Sequence, residues 1–265
     1  MTLTRPPGPL SRGGEQYTNY RIEGPAHRLM LHPFLRRVRA EFGGQTVLDT
    51  RAGVLLHETG LLPQLYLPEA DLRAELLEPT GHHTHCPFKG DASYRSLRVG
   101  DRVVDNAVWH YPQPFEAASW LAGYAAMYWS AADRWWDEDD EVRGHLTDPF
   151  HRIDVRATSR KVRVLAGDML LAESAHPLVL SETGLPNRFY LPGSDMREDL
   201  LAASDTRTVC PYKGEARYWS LRVAGHEFAD VAWEYSQPLP EAARIAGYRC
   251  FLHDELTIEV DGEPD

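Results

Sequence analysis

The chain has 265 residues, 43% of them hydrophobic, with a formal net charge of -11. That length and composition suit a folded protein with room for two ordinary domains, each able to bury a core. The acidic balance excludes a sequence-independent grip on nucleic acid and binding to anionic membranes, both of which need a basic surface. No apolar run is long enough to span a bilayer, and residues 1–7 lack the apolar core of a signal peptide, so the cytoplasm is the expected compartment. The sparse cysteines, Cys86, Cys210 and Cys250, are neither a disulfide framework nor C-x-x-C zinc knuckles.

Residues 1–32, rich in Gly, Pro, Arg and Ser, read as an extended N-terminal arm. A first domain is expected over 33–136. Val38, Ala40 and Phe42 alternate with Arg37, Arg39 and Glu41 in a strand pattern, and Gly43-Gly44 marks a hairpin turn. Residues 45–50, 54–57 and 64–67 read as further strands, with a turn at Glu58-Thr59-Gly60-Leu61. Residues 68–77 read as a short helix, opened by Pro68 and acidic residues and carrying Leu72, Leu76 and Leu77 on one face. Strands follow at 84–88, 93–99 and 107–111, with turns at Lys89-Gly90 and Gly100-Asp101-Arg102. Pro112 and Pro114 mark a loop, 116–121 a helical turn, 123–129 a strand, and 133–136 the start of a helix. The run Asp137-Glu138-Asp139-Asp140-Glu141 reads as the start of an acidic linker over 137–148; it lacks the spaced ligands and glycine of a calcium loop.

A second domain, 149–265, repeats the first. Thr84-His85-Cys86-Pro87-Phe88-Lys89-Gly90-Asp91-Ala92 returns as Thr208-Val209-Cys210-Pro211-Tyr212-Lys213-Gly214-Glu215-Ala216, 124 positions on (210 less 86). At the same spacing Glu58-Thr59-Gly60-Leu61 returns as Glu182-Thr183-Gly184-Leu185, and Trp109 and Tyr111 as Trp233 and Tyr235. A period of this size is a tandem of two domains, not a solenoid. The duplication is also an internal comparison, since a residue present in one copy alone cannot serve a role that both share.

The duplicated residues carry the candidate chemistry. A thiol near an ammonium, as in Cys86/Lys89 and Cys210/Lys213, can act as a nucleophile, and the lysine can hold an anionic ligand at the turn. The plainer reading is a small buried cysteine and a Lys-Gly turn, and no general-base histidine is read as duplicated beside it. Tyr66, Tyr94, Trp109 and Tyr111, with Tyr190, Tyr218, Trp233 and Tyr235, can form an aromatic box for a planar or cationic ligand, or an aromatic core with satisfied hydroxyls. Glu58 with Asp71, and Glu182 with Asp195, are either acid/base pairs or turn and helix caps. His82, His83 and His85 align with Thr206, Arg207 and Val209, which excludes a metal site shared by both copies there. Phosphate-binding glycine loops and serine elbows are absent. No metal and no cofactor is expected.

The runs Glu182-Thr183-Gly184-Leu185-Pro186, Tyr190-Leu191-Pro192 and Thr208-Val209-Cys210-Pro211-Tyr212-Lys213-Gly214, with their first-copy counterparts, resemble the bacterial and fungal domain of unknown function family 427. The resemblance covers nearly all of the chain after about Pro33, in two copies. It implies mainly β domains with short helices and a β-tent-like fold, similar to methionine sulfoxide reductase B and the thalidomide-binding domain of cereblon. Those relatives hold zinc on paired C-x-x-C motifs that this chain lacks, so no metal is carried over. The aromatic cage of the cereblon domain implies that Trp109 and Tyr111, or Trp233 and Tyr235, line a pocket. The family's nucleotidyltransferase label finds no Gly-Gly with an Asp-x-Asp pair here: Gly43-Gly44 has only Asp49 nearby. The expected function is a small-molecule-binding module. The alternatives are a small-molecule enzyme using the duplicated Cys and Lys, or a scaffold in which two like domains form an intramolecular pseudo-dimer within a monomer.

Overall fold

The computed structural model describes residues 24–223 and 226–264. Most of the expected arm lies outside the described residues. The chain is mainly β and divides into two compact units, residues 1–146 and 147–265.

In the first unit an antiparallel seven-stranded sheet runs in the order β1 (Leu29–Phe34), β4 (Gly53–Glu58), β5 (Gln64–Pro68), β9 (Tyr124–Met127), β8 (Arg102–His110), β7 (Gly90–Val99) and β6 (Leu77–Cys86). A four-stranded sheet runs β11 (Asp140–Val142), β10 (Arg134–Asp137), β2 (Val38–Phe42) and β3 (Gln45–Thr50). Strand alternation gives the larger sheet a core on each face. Leu55, Leu65, Leu67, Leu97 and Val108 pack with Val38, Ala40 and Leu48 of the smaller sheet. Val54, Leu56, Tyr66, Ala92 and Tyr94 point the other way, against Ala118 and Leu121 of the 3-10 turn Glu116–Leu121.

The larger sheet is curled, and its bulges show why. Register shifts fall between Pro79 and His83 on β6 and between Arg95 and Leu97 on β7. Beside them on β8, Asn106 takes a left-handed φ of 54° and gives its backbone N–H to the Ser96 hydroxyl at 3.1 Å. Bulges add twist, and a pair at one level bends neighbouring strands together.

The second unit repeats this plan. Its larger sheet runs β12 (Ile153–Ala157), β15 (Leu178–Glu182), β16 (Arg188–Pro192), β20 (Tyr248–Phe251), β19 (His226–Glu234), β18 (Gly214–Val223) and β17 (Leu201–Cys210). The smaller runs β14 (Met169–Ser174), β13 (Val162–Ala166), β21 (Leu256–Val260) and β22 (Glu263–Pro264). Bulges recur between Ala203 and Arg207 and between Trp219 and Leu221, and Asp230 has φ 55°. Among the described residues no helix is long and apolar enough to cross a membrane.

Several local expectations are corrected. Residues 68–77 form not one helix but two 3-10 turns, Glu69–Asp71 and Ala74–Leu76, followed by β6. Leu72 enters the main core and bridges to Leu48, which breaks the helical path. Residues 133–136 start no helix; from Arg134 they lie in strand β10, where Trp135 is buried and its indole donates to the Trp129 carbonyl at 3.0 Å. The acidic run is no free linker. Its residues build the β10–β11 hairpin, with Glu138 at φ 54° in the turn, and Arg36 and Arg39 pair with Asp137 and Asp139 at 2.7 and 2.9 Å. The first unit also starts before residue 33, since β1 begins at Leu29, within the segment read as arm.

Candidate functional site

The Cys-Pro-aromatic-Lys-Gly stretch is the tip of the β6–β7 hairpin. Lys89 N–H donates to the Cys86 carbonyl at 3.3 Å, and the Lys89 carbonyl accepts from Phe115 N–H at 3.0 Å. The loop after β8 thus presses on the turn. Gly90 is required here twice over: its φ is 104°, and a Cβ would stand 3.2 Å from the Gln113 carbonyl oxygen. Pinned this way, the Lys89 side chain turns inward and is only 9% exposed.

Its partner is the Glu58 carboxylate at the end of β4, also 9% exposed. Four strand intervals separate β4 from β7 in the sheet, roughly 19 Å if it were flat. The curl closes that gap. The Glu-Thr-Gly-Leu motif then brings in a third group. Thr59 exchanges hydrogen bonds with the Arg28 backbone, at 3.0 Å to its hydroxyl and 3.1 Å from its N–H, and Gly60 turns the chain at φ 78°. This holds the segment before β1 in place and sets His27 Nε2 at 3.2 Å from the second Glu58 oxygen. The His27 ring stacks on Phe88 at 3.9 Å and 14°.

The aromatic residues line the same face. Lys89 Nζ lies 5.9 Å from the centre of the Tyr111 ring. Trp109 donates its indole N–H to the Tyr66 hydroxyl at 3.1 Å, and the Tyr94 hydroxyl bonds that of Thr84 at 2.9 Å. Cys86 is half-buried and packs with this group. Burial, with Cys86 and Glu58 adding negative charge, pushes the Tyr66 and Tyr111 hydroxyls well above the ordinary phenol range, so they remain donors.

The second domain repeats the cluster. Lys213 Nζ lies 2.5 Å and His151 Nε2 2.9 Å from the two Glu182 oxygens, and Trp233 donates to Tyr190 at 3.2 Å. Burial pushes Glu182 up, but the His151 hydrogen bond and the Lys213 charge outweigh it and hold the carboxyl below its ordinary value. Thr208 bonds Tyr218 at 2.9 Å, and Tyr235 and Cys210 pack alongside. The copies differ at the rim. Tyr212 replaces Phe88; it tilts over His151 at 4.4 Å and its hydroxyl accepts the Asp148 backbone N–H at 2.7 Å.

The candidate ligand-binding residues Tyr66, Cys86, Lys89, Tyr94, Trp109 and Tyr111, and their counterparts, gather on one sheet face in each domain. Glu58 and Asp71 do not form a pair; Asp71 accepts from Thr50 instead, at 2.6 Å. The reading that no histidine is duplicated in this chemistry is corrected by His27 and His151, which stand on Glu58 and Glu182. They are 124 positions apart (151 less 27), a signal present in the sequence but hidden in a segment read as arm. His85 pairs with Asp91 at 2.6 Å on the exposed edge of the sheet, and among the described residues no group of three or more His, Cys, Asp or Glu is placed to hold a metal. Two substitutions between the copies, Arg95 against Trp219 and His110 against Glu234, fall on the opposite sheet face. There Arg95 and His110 pair with Glu69, while Arg249 sits over Trp219 at 4.0 Å and pairs with Glu234 and Glu198. The face that carries the cluster is thus spared this divergence.

The model of the family Domain of unknown function (DUF427) matches residues 30–138 and again 154–262. The chain belongs to this family, as two tandem copies. No curated protein matches it. Both matched segments begin three residues after the histidine of their domain.

Proposed function

We propose that each DUF427 domain of this chain is a small-molecule-binding module, its site formed by the Lys-Glu-His cluster and the Tyr/Trp face beside it. One observation carries the reading. A buried lysine–carboxylate pair with histidine, cysteine and tyrosine around it occurs in both copies, at positions where apolar residues would serve folding at least as well. Desolvating an ion pair brings little net stability, and apolar replacements of such pairs are often neutral or stabilising. Retention of the whole set in two diverged copies fits a ligand better than a core.

The chemistry on offer suits a small planar molecule that is anionic or weakly acidic. Aromatic faces give stacking area, tyrosine hydroxyls held protonated give donors, and the imidazole beside the lysine–carboxylate pair gives a further polar contact. Native mass spectrometry of the full chain as purified is the test. One or two adducts per chain are expected, lost in K89M/K213M and weakened in W109F/W233F, which keep the rings but remove the indole donors. A bare mass, with no change in tryptophan fluorescence on titration with 4-nitrophenol and nicotinate to millimolar concentration, would count decisively against binding.

A further inference from the structure

The histidines point to a more specific chemistry at this site, and the inference rests on the binding reading above. We infer that His27 and His151 are acid–base groups that exchange a proton, through Nδ1, with a planar weak acid such as a phenol, an enol or a heteroaromatic N–H.

The argument begins with the carboxylate. An ionised carboxylate only accepts hydrogen bonds, so the imidazole nitrogen facing it must carry the proton. In both domains that nitrogen is Nε2, at 3.2 Å from Glu58 and 2.9 Å from Glu182. The neutral ring then has its lone pair on Nδ1. No described residue hydrogen-bonds Nδ1 of either histidine, and the side chains keep 21% and 15% of their surface exposed. A small molecule can therefore reach the acceptor from solvent.

Both the carboxylate and the ring are held. The other carboxylate oxygen is bonded by Lys89 or Lys213, which fixes its direction. Phe88 or Tyr212 lies against the imidazole and fixes its plane. A histidine oriented by a carboxylate, with its second nitrogen turned to the ligand, is the arrangement by which imidazoles act as proton acceptors. The lysine makes the difference from a simple dyad. Its ammonium already balances the carboxylate, so the resting site is neutral in charge. When the ligand X–H gives its proton to Nδ1, an imidazolium and X⁻ form side by side and the total charge is unchanged. No heavy-atom bond is made or broken, and return of the proton restores both partners. The ligand is planar because what flanks the histidine is aromatic: Phe88, stacked on His27, is 41% exposed, and Tyr212 lies against His151. Glu58, Lys89, Cys86, Tyr66, Tyr94, Tyr111 and Tyr124 are the other titratable groups of the first cluster, and Glu182, Lys213, Cys210, Cys250, Tyr190, Tyr212, Tyr218, Tyr235, Tyr248 and Asp148 those of the second.

Two measurements on the full chain test this. Long-range ¹H–¹⁵N spectra of the ¹⁵N-histidine-labelled protein at pH 8 read the tautomer directly. Nε2–H is expected for His27 and His151, and the Nδ1–H form at both would overturn the inference without any variant being made. The second is a 4-nitrophenol titration at pH 6, followed by the phenolate absorbance. The bound phenol is expected to ionise, and H27Q/H151Q, whose amide N–H can still reach the carboxylate, is expected to reduce that ionisation roughly tenfold, the equivalent of one pKa unit. Undiminished ionisation in this variant overturns the acid–base role and leaves the binding reading intact. Absence of 4-nitrophenol binding, with adducts still present in the native mass spectrum, overturns the weak-acid class alone.

Discussion

Replacing Lys89 with methionine removes the ammonium and keeps most of the side chain's volume and its apolar stem. Glu58, 9% exposed, is left with a charge opposed only by the His27 N–H. Removing one partner of a buried pair costs about 3–5 kcal/mol, because the other charge stays buried and uncompensated. The remaining histidine bond lessens this, so a loss of about 3 kcal/mol is expected, or about 10 °C in the melting of a domain of this size. E58Q/K89M should recover to within about 1 kcal/mol of the parent, since no unpaired charge remains and the glutamine carbonyl still accepts from His27. Urea denaturation followed by tryptophan fluorescence at pH 8 gives both values. K213M is an independent replicate in the second domain, where the pair is 10% and 11% exposed. A cost below about 1 kcal/mol for K89M, as for a solvated surface pair, or a double variant no better than the single, would refute the argument that this pair is buried and obligatory.

Alanine at Gly90 or Gly214 should cost about 1–3 kcal/mol, from φ near 104° and a carbonyl 3.2 Å from the new Cβ; Gly60→Ala, where nothing lies within 4 Å, should cost less in the same thermal melts. Glu182 is held below its ordinary value, so its contribution to stability is complete above the unfolded carboxyl pKa and lost as pH falls through the lower folded one. Acid titration by circular dichroism should show K213M losing its second domain at a higher pH than the parent. The Arg102 guanidinium and the Gly43 N–H lower Asp133 to about 2, and R102M should raise it towards about 3.9 in a carboxyl NMR titration, with little change in stability at this exposed site. Tyr212→Phe should cost about 1 kcal/mol through the lost acceptor for Asp148 N–H; an unchanged denaturation midpoint would show that this bond does not hold the rim of the second site.

The sequence by itself determined the duplication, the mainly β character, the hairpin at Lys89-Gly90 and the aromatic and lysine residues that share one face, because each is written in local signals. Alternation places Tyr66 opposite Leu65 and Leu67, glycine marks the left-handed turn, and a spacing of 124 positions aligns the copies without any structure. Local pattern failed where tertiary contacts decided. The acidic run looked solvated because its counter-charges, Arg36 and Arg39, lie about a hundred positions earlier. Trp135 looked helical until β2 became its neighbour. Leu72 and Leu76 showed a helical spacing that bridging to Leu48 overrode. The Lys-Glu-His cluster belongs wholly to the tertiary structure. Its members are separated by 31 residues at each step and stand at the ends of strands that a flat sheet would keep far apart. Their meeting depends on paired bulges that curl the sheet and on Thr59 pinning the segment before β1, and neither effect has a signature in the residues it brings together.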